Sequence, residues 1–493
     1  LWIIIKKGEI MNSFLAIDQG TTSSRAIVFN SELEVVTESQ KEYQLTHPNN
    51  GWVEADPCLI LDSVQETITN VLNNYDGVIS SCGITNQRET TIVWSKLTGK
   101  AIYPAIIWQD RRTNKLCEEL KNLNYETMIK DKTGLVLDPY FSATKIKWIL
   151  DNVPNARKEA EGGNLLFGTV DSFLIFNLSK EKNHLTDVTN ASRTMLFNIN
   201  TMEWDNDLLE LFDIPVSMMP EVRSCDSNFG TLMQNEKEIA ITGVIGDQQA
   251  ALVGQGCFES GSMKSTYGTG CFLMVNTKNE IIKTNEGLLT TVGYQINDEV
   301  AYALEGSIYS CGTTIQWLRD KMKFFESAKQ SEAFLNPEGS SNNVHFLPAF
   351  NGLAAPYWNS DVRAGFYGIT QNSSIEDMVT AAFKSICYQT KDITNILEEY
   401  DISINSLLVD GGMTSNETFC QVLSDVLQKK ILKPHNAEST ALGACIVSQV
   451  GFGMNLSDII IRHDKKITPS LKLKDAYESD YLSWKAYIEN SIE

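Results

Sequence analysis

The sequence lacks the features that disulfide-bonded, metal-structured and membrane-embedded chains depend on. Its ten cysteines (Cys58, Cys82, Cys117, Cys225, Cys257, Cys271, Cys311, Cys387, Cys420, Cys445) are scattered, with no CxxC pair and no grouping at zinc spacing. That excludes a zinc module and leaves reduced, mostly buried thiols in a cytoplasmic protein as the expectation. The five histidines form no HExxH or similar pair, and none is assigned to catalysis. No apolar run approaches the roughly 20 residues that span a bilayer. Basic residues are in deficit, 41 Lys and Arg against 62 Asp and Glu, and the formal charge of −21 would repel nucleic acid or an anionic membrane. Also missing are a GxxxxGK[ST] loop and a GxGxxG turn opening a helix, the commonest devices for holding a nucleotide. A nucleotide is not thereby excluded, because Mg²⁺, backbone N–H groups and one or two arginines neutralise phosphate locally.

What is present is an ordinary globular composition, 42% apolar and 21% charged, over 493 residues. That length exceeds what one core organises, so two domains of roughly 200–250 residues are expected, with a ligand cleft between them. They are drawn at residues 11–254 and 259–493, the boundary lying in the Gly/Ser-enriched stretch 254–262. Residues 1–10 read as a leader outside the fold, since Lys6, Lys7, Gly8 and Glu9 are encodable by a purine-rich run resembling a ribosome-binding site just ahead of Met11.

Apolar residues 14–17 and 25–29 read as strands around a polar turn, followed by a third at 34–37, a meander with Asp18 at its first bend. In 142–153, Ile146, Ile149, Leu150 and Val153 recur at helical spacing and Pro154 follows. The stretch 263–275 repeats the opening logic. Ile375 begins a helical pattern behind Ser374 and Asp377 in capping-box positions. Residues 407–409 form a buried-type strand ending at Asp410, with Asn416 near the N-cap of a helix bearing Phe419, Val422, Leu423, Val426 and Leu427. Tyr477, Tyr481, Leu482 and Ile488 mark an amphipathic terminal helix that docks on the body of the protein. Strands alternate with helices in both halves, so two mixed α/β domains are expected.

Three glycine- and hydroxyl-rich turns follow apolar strands, at 18–25, 267–270 and 410–416. Glycine lets backbone approach a phosphate closely, exposed N–H and hydroxyl groups donate to its oxygens, and a carboxylate at the strand end can hold a metal ion. One such turn is commonplace; three in one chain form the arrangement used by actin-like ATPases.

The blocks 18–25 (DQGTTSSR), 83–94 (GITNQRETTIVW), 140–148 (YFSATKIKW), 246–250 (GDQQA) and 410–412 (DGG) resemble those of the glycerol-phosphorylating members of the FGGY carbohydrate kinase family. The resemblance runs in register from about Met11 to the last helix. It implies two ribonuclease H-like (actin-like ATPase) α/β domains flanking a central cleft, with the polyol mainly on the first and ATP mainly on the second. It further implies Mg²⁺- and ATP-dependent phosphorylation of glycerol to sn-glycerol 3-phosphate by in-line transfer, and assembly as a homodimer or homotetramer. By the same resemblance Asp247 is the catalytic base, Asp18 organises Mg²⁺, and Thr21, Thr22, Ser23 and Arg25 face the terminal phosphates. Thr269, Gly312, Gln316, Gly412 and Asn416 match nucleotide contacts. Arg88, Glu89, Tyr140, Asp247 and Gln248 match glycerol contacts, with Trp108 and Phe272 as an apolar wall.

Elementary chemistry reads the same residues compatibly. Three hydroxyls on three carbons call for donors and acceptors together with an apolar surface; Arg88 and Glu89 offer the first, Trp108 and Phe272 the second. Two alternatives stay open at this stage: a family member acting on a pentulose or gluconate, and an actin-like nucleotide switch without catalysis. Residues 229–243 contain neither Arg nor His, so neither the sugar-bisphosphate loop nor the regulatory histidine of some relatives is expected.

Overall fold

Residues 12–284, 287–336, 343–359 and 361–492 are described by a computed structural model. The leader assigned to residues 1–10 lies outside the described residues. Two compact units are present, each discontinuous in sequence. The first comprises the chain up to Gly254 with Thr291–Ala301 and Glu438–Ile461; the second comprises Gln255–Thr290, Tyr302–Ala437 and the chain from Arg462 onward. Two segments from the later half of the sequence therefore belong with the first unit.

In the first unit, strands β1 (Ser13–Gln19), β2 (Ser23–Asn30), β3 (Val35–Glu42), β4 (Ile79–Asn86), β5 (Gly230–Gln234) and β6 (Lys237–Gly246) form a sheet in the order β5-β6-β4-β1-β2-β3. β1, β4 and β6 run parallel, and β2 and β3 return antiparallel as the expected meander. Phe14, Leu15, Ala16 and Ile17 are all buried, the continuous apolar run of a strand covered on both faces. β3, at the edge, is polar and largely exposed. One face is covered by helix Ser439–Gly451, whose small residues bring backbones together: a Cβ on Gly443 would stand 1.8 Å from the carbonyl oxygen of Ala250.

The second unit repeats this design. Strands β7 (Met263–Tyr267), β8 (Cys271–Lys278), β9 (Glu299–Ile308), β10 (Ser406–Asp410), β11 (Lys430–Pro434) and β12 (His463–Ile467), six of a seven-stranded sheet, lie in the order β9-β8-β7-β10-β11-β12. Again a meander (β7, β8, β9) is followed by two parallel strands, β10 beside β7 and β11 beside β10, and by an antiparallel edge, β12. The sequence-level echo of 14–29 in 263–275 is thus a repeat of sheet topology.

Local expectations meet the structure closely. The helix predicted over 142–153 is Ser142–Asn152, ending ahead of Pro154 as its ring requires. Helix Ile375–Glu399 starts with both hydrogen bonds of the Ser374/Asp377 capping box. Asn416 caps helix Glu417–Leu427, its Oδ1 accepting the Phe419 N–H at 2.8 Å. In the terminal helix, Lys474–Ile492, Tyr477, Tyr481 and Ile488 are buried as read, but Leu482 is 57% exposed and Trp484 takes the inward position. The reason is helical phase: Tyr477, Tyr481, Trp484 and Ile488 follow the i, i+4, i+7, i+11 stripe, which Leu482 leaves. All ten cysteines are unpaired, and all but Cys58 are buried. Among the described residues no helix is long and apolar enough to cross a membrane.

Candidate active site

Three adjacent parallel strands of the first unit end side by side, and each delivers polar groups there. β1 carries Asp18 as its penultimate residue, β4 leads into Arg88 and Glu89, and β6 ends at Gly246, so Asp247 opens helix Asp247–Gly254. The register aligns Asp18 with Thr85 and Gly246 with Asn86. Such carboxyl ends of parallel strands are where open α/β sheets place ligands.

Arg88 is the hub of this cluster. Its Nε lies 3.1 Å from Asp247 Oδ1 and 3.9 Å from Glu89 Oε1, and its Nη1 donates to Gln249 Oε1 at 3.2 Å. Arg88 and Glu89 are almost fully buried, whereas the Asp247 side chain keeps 28% of its surface. Asp247 Oδ1 also accepts the N–H of Gln248 at 2.6 Å, so the carboxylate is held at the first turn of its helix, where the dipole favours negative charge. Glu89 has φ of 60°, the left-handed region that a buried glutamate occupies only at a cost of order 1–3 kcal/mol. Its surroundings impose it: Ser142 Oγ donates to the Glu89 carbonyl at 3.0 Å, and Arg193 Nε holds Glu89 Oε1 at 2.7 Å.

Asp18 faces Arg25 across the β1–β2 pair. Burial, with Asp247 and then Glu438 as like charges and Arg25 opposing them, raises the Asp18 carboxyl from 3.8 to about 7. Arg25 forms an ion pair with Glu438, which precedes helix Ser439–Gly451. The turn between β1 and β2 is tightened by Gly20 N–H donating to Ser23 O at 2.8 Å, and leaves Thr21, Thr22 and Ser23 at least partly accessible. Thr21 Oγ1 accepts the indole N–H of Trp108 at 3.0 Å, and Trp108 meets Tyr140 edge to face at 5.7 Å. Behind Tyr140, fully buried Lys145 donates to its carbonyl at 2.7 Å; burial, opposed by Glu89 and Asp110, lowers this amine to about 7.

Sixteen of the seventeen candidate positions fall in two groups, eleven in the first unit and five in the second; Phe272 belongs to the second unit, on β8, opposite Thr266 and Ser307. In the second unit the turns after β7, after β9 and after β10 come together. Gly312 N–H donates to Gly268 O at 2.9 Å, and Cys311 and Thr313 N–H both donate to Thr269 O at 3.1 Å. Gly411 has φ of 90°, and a Cβ there would lie 2.5 Å from the carbonyl oxygen of Tyr267, so only glycine closes this turn. Thr269, Gln316 and Gly412 are exposed beside it, whereas Asp410 Oδ1 and Asn416 Nδ2 are buried without a hydrogen-bond partner among the described residues.

These observations fit a magnesium nucleotide. Unpartnered buried polar atoms beside exposed hydroxyl and amide groups suit a polar ligand. A carboxyl raised by burial and, beyond that, by neighbouring carboxylates stands where a hard cation would offset negative charge. Among the described residues no cluster of three or more His, Cys, Asp or Glu side chains could hold a metal ion by itself. Mg²⁺ commonly takes only one or two carboxylates and completes its shell with phosphate and water, for which Asp18 and Asp247 are the available donors.

Sequence reasoning missed Glu438, Arg193, Gln249 and Lys145. Glu438 and Arg193 lie far along the chain from the groups they hold, with no motif to mark them; Lys145, inside the quoted block 140–148, was read only as part of a helix.

Comparison with known proteins places the chain. The model of the N-terminal domain of the FGGY family of carbohydrate kinases matches residues 13–254, and that of the C-terminal domain matches residues 263–451. A glycerol kinase of Marinomonas sp. is 47% identical over 484 residues, covering 96% of this chain and 98% of its own, and one of Xanthomonas campestris pv. campestris is 46% identical over 489 residues, covering 97% and 98%. The crystal structure of Plasmodium falciparum glycerol kinase with ADP superposes with a TM-score of 0.91 at 36% identity, covering 98% of this chain and 99% of that one. A gluconate kinase from Lactobacillus acidophilus, 21% identical with a TM-score of 0.89 and 98% of each chain covered, shares the fold.

Proposed function

The chain belongs to the FGGY family of carbohydrate kinases, and from that premise we propose which of its residues carry the reaction. The protein is an enzyme that phosphorylates glycerol with ATP and uses Mg²⁺, on the actin-like ATPase fold. The observation that carries the residue assignments is the junction of β1, β4 and β6, where Asp247, steadied by Arg88, stands beside the strained, buried Glu89 and the Asp18–Arg25 pair.

In this assignment Arg88 and Glu89 donate to and accept from the polyol hydroxyls, Tyr140 and Gln248 add polar contacts, and Trp108 and Phe272 face the carbon skeleton. A site built to hydrogen-bond hydroxyls discriminates against analogues lacking them, because its own buried groups would be left unpaired. Asp247 is the base: it orients the attacking hydroxyl and takes its proton as the new O–P bond forms and the bond to the leaving ADP oxygen breaks. Thr21, Thr22 and Ser23 donate to the terminal phosphates, and Arg25 exchanges Glu438 for phosphate oxygen. Thr269, Gly312, Gln316, Gly412 and Asn416 hold the remainder of the nucleotide. Bound with the phosphates near Asp18, Mg²⁺ supplies charge neutralisation where phosphoryl transfer needs it. In-line transfer, sn-3 regiochemistry and assembly as a homodimer or homotetramer belong to this proposal. So does a cytoplasmic location, which the ten unpaired thiols support.

³¹P NMR of the product made from glycerol and Mg-ATP reads the position phosphorylated, and sedimentation at micromolar protein reads the assembly. A coupled ADP-release assay over a panel of polyols, ketoses and gluconate tests the selectivity attributed to Arg88 and Glu89. Faster turnover of a pentulose than of glycerol would overturn that attribution.

A further inference from the structure

The segment 187–193 holds no group assigned to binding or chemistry, yet every one of its residues is buried. It starts where Asp187 ends a short strand and caps the four-residue helix Val188–Ala191, accepting the N–H of Thr189 at 2.7 Å and of Asn190 at 3.1 Å. Five of its seven positions, Asp187, Thr189, Asn190, Ser192 and Arg193, carry side chains that are costly to bury unless each has a partner. For Thr189, Asn190 and Arg193 those partners include residues at the site itself.

Three connections join the segment to the site. The Thr189 hydroxyl donates its proton to Asp187, so its oxygen is left as an acceptor; it takes the N–H of Gly246, the residue immediately before Asp247, at 2.8 Å. Asn190 and Asn86 exchange two amide hydrogen bonds of 3.0 Å each, fixing the end of β4 two residues before Arg88. Arg193 Nε holds Glu89 Oε1 at 2.7 Å, occupying that oxygen with a fixed donor while Arg88 lies on the same side at 3.9 Å. One buried segment thus touches the lead-in to the base, the strand end that leads to Arg88, and Glu89 itself.

We propose that segment 187–193 is a positioning device for the reaction, in which Thr189 sets the aim of Asp247 through the Gly246 N–H and Arg193 sets the acceptor face of Glu89 toward the polyol. The proposal rests on the reading of Asp247 as base and Glu89 as polyol acceptor. Thr189 and Arg193 are positioning residues, since each acts through another group. Their effects separate by the step each serves. Misaiming the base harms the transition state more than binding, because a misplacement of about 1 Å can cost ~10²-fold in rate. Loosening Glu89 weakens polyol binding in ground and transition state alike, which raises KM.

The test compares Thr189→Val, which keeps volume but loses the acceptor, with Thr189→Ser, which restores it, and with Arg193→Lys. For Thr189→Val the expected result is a kcat about 10- to 100-fold lower with KM for glycerol within about twofold of wild type, and recovery to within about threefold in Thr189→Ser. For Arg193→Lys the expected result is KM for glycerol up about tenfold, with kcat and KM for ATP changed less than about threefold. If Thr189→Val does not accumulate as folded protein, Thr189→Ala is measured against the same expectation. Lower thermal midpoints with unchanged kinetic constants per active site, or a Thr189→Ser variant no better than Thr189→Val, would overturn the proposal. Asp247→Asn and Glu89→Gln run alongside: near-wild-type constants in those two sink the underlying reading, whereas losses there with Thr189 and Arg193 variants unaffected sink this inference alone.

Discussion

Replacing Asp18 with asparagine is expected to stabilise the ligand-free protein while abolishing its work. In the folded chain this carboxyl titrates at about 7 against 3.8 for an ordinary aspartate, because burial and the charges of Asp247 and Glu438 penalise its ionised form. Between those two values the native state keeps a proton that the unfolded state has released, so stability falls as pH rises from about 4 to about 7 and the full deficit persists above. A difference of roughly three units at about 1.4 kcal/mol each sets a ceiling of about 4 kcal/mol. Partial solvent access reduces this, so a gain on the order of 1–4 kcal/mol is expected for Asp18→Asn at pH 8, and none at pH 4. Arg25 retains its ion pair with Glu438 in the variant, so no buried cation is orphaned. Thermal unfolding without ligand, followed at both pH values, should show a midpoint raised by about 2–4 °C per kcal/mol at pH 8 only. Mg-ATP should reverse the order, stabilising wild type more than the variant, whose turnover is lost. A ligand-free variant melting below wild type at pH 8 would refute the reasoning.

Asp247→Asn should fold normally and lose about 10²- to 10⁴-fold in kcat, the usual range for a general base, as measured by the coupled ADP assay with unfolding monitored in parallel. Because only ionised Asp18 serves a cation, KM for Mg-ATP should fall roughly tenfold between pH 6 and pH 8, where the ionised fraction of a group titrating at about 7 rises from about a tenth to about nine tenths; a flat profile would remove Asp18 from nucleotide binding. Gly443→Ala should cost about 3 kcal/mol or more, or prevent folding, because the added methyl would fall 1.8 Å from the backbone oxygen of Ala250 and neither backbone can yield; a wild-type melting temperature would contradict the packing described.

Much of the fold was legible because its signals are local. The meander at 13–42, the capping box at Ser374, the Asn416 cap and the helix ended by Pro154 each depend on a few consecutive residues, and each stands in the structure where periodicity and turn chemistry put it. Leu482 shows the limit of that reading. The sequence groups Tyr477, Tyr481, Leu482 and Ile488 on one face, whereas in the packed helix Trp484 turns inward and Leu482 outward. The candidate site divides likewise: Asp18, Arg88, Glu89 and Asp247 stand in recognisable blocks, but the groups that hold them do not. Glu438 lies 413 residues from Arg25, and Arg193 lies 104 residues from Glu89.

The order of hydroxyl-rich turns and strand-end carboxylates is legible in the sequence alone, since strand period and turn geometry are set by neighbours in the chain, and the kinase chemistry follows from the resemblance of the motif blocks to the FGGY family. The charge state of Asp18, the partner of Arg25, the left-handed Glu89 and the buried brace at 187–193 were decided only by the tertiary structure. Desolvation and Coulomb energy depend on burial and on distance through space, and neither quantity exists until distant segments have packed together.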